Sequence, residues 1–149
     1  RVWQDERVVL GGSDAGAHLD LMCHANYTTR LLAEAVRERG LLTLEAAVRL
    51  LTDVPARLYG LRDRGRVAPG AHADLVVLDP DRVGSEPATE RADLPGGAAR
   101  LSAESVGVEH VLVAGREVVR AGRLTGERGG TVLRSGTHTD TVTVPGGRR

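Results

Sequence analysis

One segment carries the residue types that hydrolytic chemistry uses: Gly11-Gly12-Ser13-Asp14-Ala15-Gly16-Ala17-His18. In it a carboxylate follows a short apolar run, among small residues that let other groups approach closely. An ionised Asp14 could contact a metal ion and accept a proton from metal-bound water, because zinc lowers the pKa of that water from about 15.7 to about 7. A purely structural interpretation is also open, since Ser-Asp after glycines is good turn and N-cap chemistry.

His18 and the Cys23-His24 pair are further candidates close to Asp14. His18 could orient a substrate or support Asp14, although a single histidine in a loop is more often a hydrogen-bonded structural residue. Cys23 and His24 are sequence neighbours, and in a helix or a strand such neighbours project in different directions. A small buried thiol beside a surface imidazole therefore explains the pair better than a metal site. We keep His18 as a candidate substrate-binding residue.

The remaining histidines are isolated along the chain, with no second histidine or cysteine at i+2, i+3 or i+4. They are His72, His110 and His138. Local spacing therefore assembles no metal site, and a zinc ion held by Asp14 would need its other ligands from elsewhere. The alternating charges of the run Arg62-Asp63-Arg64-Gly65-Arg66 are typical of a solvated surface, and we assign that run no function.

A buried strand and a helix are predicted on either side of the Asp14 segment. The unbroken apolar run Val8-Val9-Leu10 is typical of a parallel strand that is covered on both faces. The carboxyl ends of such strands are where α/β barrels keep their chemistry. A first helix is predicted from N-cap oxygens at Thr28 and Thr29 to a stop at Gly40.

Two more helices are predicted before the pattern changes. Thr43 is a suitable N-cap for the second helix, and Glu45 in its first turn suits the helix dipole. The apolar stripe of this helix is Leu44, Ala47, Val48 and Leu51. Pro55 interrupts it and is well placed in the first turn of a short third helix that ends at Gly60.

Strand signals replace helical ones in the second half of the chain. The segment from Ala73 to Asp79 predicts a strand, and Val108–Val113 with Glu117–Val119 predicts a hairpin around the turn Ala114-Gly115. Residues 82–105 show no period and predict a long surface connection of the kind that often borders a site. The Thr- and Gly-rich residues 135–149 predict a disordered tail.

The composition excludes several classes of function. The 149 residues carry twenty basic and twenty acidic side chains, and the basic ones are spread without a block, so nothing predicts nucleic-acid binding. Cys23 is the single cysteine, which excludes an intrachain disulfide. No secretory leader or membrane-spanning apolar run is present. We therefore expect a cytoplasmic protein.

Taken together, the ordered motifs resemble the amidohydrolase superfamily. They are Gly12-Ser13-Asp14, the stretch from Thr52-Asp53-Val54-Pro55-Ala56-Arg57 to Leu61, and the stretch from Arg64-Gly65-Arg66 through Pro69-Gly70 to Asp79. The segment Ser13 to His18, the segment Asp93-Leu94-Pro95-Gly96-Gly97 and the run Val111 to Gly115 look like the D-aminoacylase branch, whose members deacylate N-acyl-D-amino acids. The resemblance covers roughly residues 8–134.

The resemblance implies a fold, a cofactor and a substrate. The family has a (β/α)8 barrel that holds one or two divalent metal ions, commonly zinc, and a small β-sandwich. Asp14 matches the aspartate at the end of the eighth strand, which holds or approaches the metal and acts as general base toward the hydrolytic water. The implied substrate is an N-acyl-D-amino acid, which would be cleaved to a carboxylate and a D-amino acid.

The chain lacks the histidine ligands of the earlier barrel strands, and a barrel needs about 250 residues. With Arg1 in place of an initiator methionine, we expect an α/β fragment. Residues 1–62 would end the barrel, residues 63–134 would supply sandwich strands with a long loop, and residues 135–149 would be the tail. Such a piece alone should be inactive. A hydantoinase-like cyclic amidase and a non-catalytic interaction module stay open as alternatives.

Overall fold

The computed structural model describes residues 2–5 and 7–142. Its first half is helical and its second half consists of short strands. The helices are α1 (Tyr27–Arg30), which continues directly into a π-helical segment (Leu31–Glu38), then α2 (Leu44–Leu51) and α3 (Asp53–Leu58). The strands are β1 (Leu75–Leu78), β2 (Gly84–Ser85), β3 (Thr89–Arg91), β4 (Arg100–Ser102), β5 (Ser105–Val106), β6 (Val108–Val113), β7 (Arg116–Arg120) and β8 (Arg123–Leu124).

The helix ends follow local signals in the sequence. Thr43 caps α2 as predicted, because its side-chain oxygen accepts a hydrogen bond from Ala46 N at 3.2 Å. Gly40, at φ 57°, ends the first helix in the left-handed conformation that glycine adopts without strain. The prediction of N-caps at Thr28 and Thr29 was wrong. Both residues lie inside the helix, which begins one residue before Thr28.

A small core joins the helices to the strands. Its buried members are Leu31, Leu32, Ala35, Ala47 and Val83. Leu10 packs against this cluster from the amino-terminal side, so the loop that carries Asp14 starts from the core. On α2 the buried positions are Ala47 and Leu50, whereas the predicted stripe member Val48 is exposed. The helix is therefore rotated slightly from the predicted stripe, toward Leu50.

The main sheet has four antiparallel strands in the order β1-β6-β7-β8. Its central hairpin, β6 and β7, forms as predicted around Ala114 and Gly115, which have φ values of 50° and 77°. A two-residue hairpin turn of this kind requires positive φ at both positions. Asp74 stabilises the turn, because its Oδ1 accepts a hydrogen bond from Ala114 N at 2.8 Å. The strand predicted within residues 73–79 is confirmed at β1.

Residues 82–105 are more ordered than a long connection. They form an extension in which β2 pairs with β5 and β3 pairs with β4, both antiparallel. The prediction of an irregular loop was wrong because these strands have only two or three residues, too few for alternation to be visible in the sequence. We refer to residues 82–106, which end with β5, as the hairpin extension.

The strand predicted at Val8-Val9-Leu10 lies in none of the sheets formed by the described residues. All three residues are half-buried. A strand covered on both faces needs neighbouring strands on each side for its backbone groups, and the described part of the chain places none beside this run. The segment is therefore as apolar as a buried strand, but none of the described strands pairs with it.

Residues 135–142, within the predicted tail, lie against the segment that follows α3. Leu61 and Thr139 form an isolated antiparallel bridge, and Asp140 N donates to Gly60 O at 2.8 Å. Arg62 Nε donates to Asp140 Oδ1 at 2.7 Å. Residues 143–149 of the predicted tail are outside the described residues. Within the described ranges, no helix is both long and apolar enough to cross a membrane.

Candidate active site

The loop after Leu10 and the helix beginning at Tyr27 enclose an open cleft of about 740 Å³. Asp14 lies on its wall together with Gly12 and Ser13. The other residues that line the cleft are Trp3, Leu10, His24, Asn26, Tyr27, Arg30, Leu31, Glu34, Ala35, Arg39 and Leu41. The lining therefore combines apolar and polar side chains, which is typical of ligand sites.

The Asp14 carboxylate is exposed because its neighbours are small. Added Cβ atoms at Gly11, Gly12 and Gly16 would meet nothing within 4 Å. The loop turns locally: Ala17 N donates to Asp14 O at 2.9 Å and Ala15 N donates to Ser13 Oγ at 3.3 Å. These bonds use the main chain of Asp14 and the Ser13 hydroxyl. The Asp14 carboxylate is thereby left accessible from the cleft.

His18 lies outside the residues that line the cleft. Its φ of 46° is unusual for a residue with a side chain, and its carbonyl accepts hydrogen bonds from Leu21 N and Met22 N, both at 2.9 Å. His18 thus has a clear role in turning the loop. His24 lines the cleft instead, although its adjacency to Cys23 had argued against a site role.

Sequence reasoning missed the polar residues that the first helix contributes. Asn26, Arg30 and Glu34 all line the cleft, and their spacing of four residues places them on one helix face. Arg30 Nε donates to Glu34 Oε1 at 2.7 Å, and Asn26 Nδ2 donates to Ser85 Oγ at 2.8 Å. Their regular spacing is the signal that could have identified them.

The described residues do not assemble a complete metal site. In the ranges 2–5 and 7–142, no three His, Cys, Asp or Glu side chains are grouped closely enough to hold an ion. A catalytic zinc commonly takes three protein ligands and a water. Asp14, an accessible carboxylate, fits the role of one such ligand. The others would have to come from residues outside the described ranges.

Two other charged clusters lie apart from the cleft. The Glu117 carboxylate accepts hydrogen bonds from Arg120 and contacts His110 Nδ1, and these interactions, Arg120 first, lower the pKa of Glu117. Both partners lie on the paired strands β6 and β7, so the cluster stabilises the sheet. Arg64 pairs with Asp74, whose other oxygen holds the hairpin turn. Both clusters have a structural explanation.

Comparison with known proteins identifies the family. A model of the amidohydrolase family matches residues 2–119. An N-acyl-D-glutamate deacylase from Alcaligenes xylosoxydans xylosoxydans is 45% identical over 121 residues, which cover 77% of this chain and 22% of the relative. An N-acyl-D-aspartate deacylase from the same organism is 40% identical over 108 residues, which cover 72% of this chain and 20% of the relative. The chain spans about a fifth of the length of these relatives.

A solved structure agrees with the sequence matches. It is a D-aminoacylase studied for the role of its binuclear metal centre, and it superposes with a TM-score of 0.53 at 35% identity. The match covers 67% of this chain and 19% of that chain. The family model extends over most of the chain, and sequence and structure single out the same branch. The chain therefore belongs to the amidohydrolase family, in its D-aminoacylase branch.

Proposed function

We propose that this chain is the carboxy-terminal part of a metal-dependent amidohydrolase that cleaves the amide bond of N-acyl-D-amino acids. The products would be a carboxylate and a D-amino acid. The observation that carries the proposal is the exposed Asp14 carboxylate on the wall of a cleft of about 740 Å³. The identities of 45% and 40% to deacylases of N-acyl-D-glutamate and N-acyl-D-aspartate support this substrate class.

Asp14 acts as the general base in the proposed reaction. Its carboxylate accepts a proton from the attacking water, whose oxygen forms a bond to the acyl carbon. The same proton then passes to the amine nitrogen as the carbon–nitrogen bond breaks. A bound divalent ion, commonly zinc, would polarise the water and the carbonyl. The binuclear centre of the related D-aminoacylase supports a metal requirement.

The polar side chains that line the cleft suit an anionic substrate. Every N-acyl-D-amino acid carries a carboxylate, and Arg30 and Arg39 both line the cleft that contains Asp14. Glu34 is paired with Arg30, so the Arg30 charge is partly compensated. Arg39 has no carboxylate within 4.0 Å among the described residues. Among the described residues, Arg39 thus offers an unpaired guanidinium group to a substrate carboxylate in this cleft.

The proposed architecture assigns residues 1–62 to the end of a (β/α)8 barrel and residues 63–134 to strands of a β-sandwich. Val8-Val9-Leu10 supports the first assignment, because this half-buried apolar run has no sheet partner among the described residues. The four-stranded sheet supports the second assignment. Val76 and Val77 are neighbours on β1, so their side chains lie on opposite faces of the sheet. Both are about half exposed, so both faces keep apolar surface on which another layer could pack.

The first test is the intact mass of the native polypeptide in its source cell. A mass that exceeds 15.8 kDa by most of a barrel of about 250 residues supports the proposal. A mass near 15.8 kDa contradicts it and favours the non-catalytic module.

A substrate panel on the purified native polypeptide tests the reaction itself. N-acetyl-D-glutamate, N-acetyl-D-aspartate and N-acetyl-D-leucine are compared with their L-enantiomers and with hydantoin and dihydrouracil. Hydrolysis confined to D-enantiomers, and lost after chelation of the metal, is the expected result. Opening of the cyclic amides alone would assign the hydantoinase-like activity instead.

A further inference from the structure

The hairpin extension contacts the loop that carries Asp14. Leu101, on β4, donates its backbone N–H to Leu19 O at 2.7 Å. Leu101 is paired with Glu90 on β3, yet its N–H points to Leu19, on the opposite side of β4. The loop after Asp14 therefore joins the free edge of β4 at one residue.

The Leu101 bond differs from the other hydrogen bonds of this loop. The bonds of Asp14, His18 and Ser13 connect residues two to four positions apart, and the loop from Gly11 to His18 is exposed. Among the described residues, Leu101 N–H to Leu19 O is the one long-range hydrogen bond made by residues 11–25. Turns shape the loop locally, and this bond connects it to the hairpin extension.

A second bond from the same extension holds the far end of the loop. Asn26 Nδ2, at the start of the helix, donates to Ser85 Oγ on β2 at 2.8 Å. The base of the extension is itself attached to the helix, because an Arg37 side-chain nitrogen donates to Val83 O at 2.6 Å. Leu101 and Ser85 thus hold the loop at its middle and at its end.

Two ion pairs connect different parts of the hairpin extension. Arg100 binds Asp93 through two hydrogen bonds of 2.7 and 2.8 Å, and Arg91 pairs with Glu104. The Arg100 hydrogen bonds lower the pKa of Asp93, which favours the charged form of the pair. At the tip, Gly96 and Gly97 have φ values of 76° and 75°, which close a tight turn.

We propose that the hairpin extension positions the general base: the Leu101 amide and the Ser85 hydroxyl are positioning groups that hold the Asp14 loop against the cleft. This inference rests on the proposed function. An error of about 1 Å in the placement of a catalytic group can cost about 100-fold in rate, so a support of this kind affects turnover. No residue of the extension lines the cleft that contains Asp14. Ser85 of the extension accepts a hydrogen bond from Asn26, which does line the cleft.

The decisive variant is Leu101→Pro in the full-length native polypeptide, because proline removes the N–H that Leu19 accepts. We expect kcat to fall by about 10- to 100-fold while KM changes by less than about twofold, because the substitution alters none of the side chains that line the cleft. Amide hydrogen exchange in residues 13–22 should accelerate. Leu133→Pro is the matched control, because Leu133 N makes no hydrogen bond with the described residues. Leu101→Ala keeps the amide and should keep kcat.

Ser85→Ala is a second, gentler variant that leaves the backbone intact. It should accelerate exchange around residue 26 and lower kcat in the same direction as Leu101→Pro. Unchanged kcat and unchanged exchange in both variants would overturn the positioning role while the deacylase activity of the parent stood. A parent without activity on N-acyl-D-amino acids would overturn the proposed function. The exchange comparison would still decide whether the extension holds the loop.

Discussion

Asp14 owes its accessibility to neighbours that carry almost no side chain. Side chains added at the two preceding glycines would meet nothing within 4 Å. The turn uses the main-chain oxygen of Asp14 and not its carboxylate. This arrangement could be anticipated from the sequence, because small residues around a single carboxylate are visible there. The position of His18 could not, since no sequence signal indicates that this residue has a positive φ and lies outside the cleft lining.

Asp14→Asn in the full-length native polypeptide should lower turnover by about 10²- to 10⁴-fold, the usual contribution of a general base. Asparagine keeps the shape of the side chain but cannot accept the proton. Steady-state hydrolysis of N-acetyl-D-glutamate measures the effect. Asp20→Asn is the matched control, because Asp20 is an exposed carboxylate of the same loop that lies outside the cleft lining. Equal effects of the two variants would remove Asp14 from the mechanism.

Gly107→Ala should destabilise the fold by about 2–5 kcal/mol, the sum of left-handed strain and overpacking. Gly107 has φ 68°, and a Cβ there would lie 2.5 Å from Val83 N, at the buried base of the hairpin extension. Gly122→Ala is the control: its φ of 73° carries the same strain, but a Cβ would meet nothing within 4 Å. We expect the control to cost only about 1–2 kcal/mol. Denaturant unfolding monitored by circular dichroism should separate the two, and equal costs would contradict the close approach to Val83.

At the scale of elements, short sequence motifs predicted the features that depend on adjacent residues. The Thr43 cap and the Ala114-Gly115 turn are confirmed, because each depends on two to four adjacent residues. The hairpin extension was missed, since pairs such as Thr89 with Ser102 are thirteen residues apart and their strands are too short to show a pattern. The π-helical form of Leu31–Glu38 has no sequence signal that we can name.

The hairpin extension should weaken in acid. Hydrogen bonding by Arg100 lowers the pKa of Asp93, so the charged pair stabilises the folded hairpin above the ordinary carboxyl pKa of about 3.9. That contribution is lost as the pH falls through the lowered folded-state pKa of Asp93. A ¹³C NMR titration of the Asp93 carboxyl group should show this low pKa. Arg100→Gln should return it toward its usual range, and a titration identical in both proteins would contradict the pairing.

At the scale of the whole molecule, the core is small for the surface around it. Eight hydrophobic residues are buried among those the structure describes, and four of them are alanines. Large side chains remain outside, including Val67 at 87% and Leu21 at 73% exposure. The helices were predictable as amphipathic, but which of their apolar side chains remain exposed could not be predicted, because burial depends on contacts with residues far away in sequence.

The 149-residue chain produced by itself should therefore self-associate and bind a hydrophobic dye. Exposed apolar surface drives both processes, and a longer polypeptide that covers the same surface should show neither. Sedimentation velocity and dye fluorescence on the two proteins, at equal concentration, provide the measurement. A monomeric 149-residue chain with no dye binding would indicate that the fold is self-sufficient.

The pairing of β2 with β5 has a consequence for protein engineering. Gly84 faces Val106 and Ser85 faces Ser105, so the extension leaves the fold and returns to it at adjacent points. Loop closure depends only weakly on the length of chain between such points. Residues 86–104 could thus be exchanged as a cassette with those of related amidohydrolases while the four-residue stem is retained. A library of such chimaeras would vary the segment that contacts the Asp14 loop without altering any residue that lines the cleft.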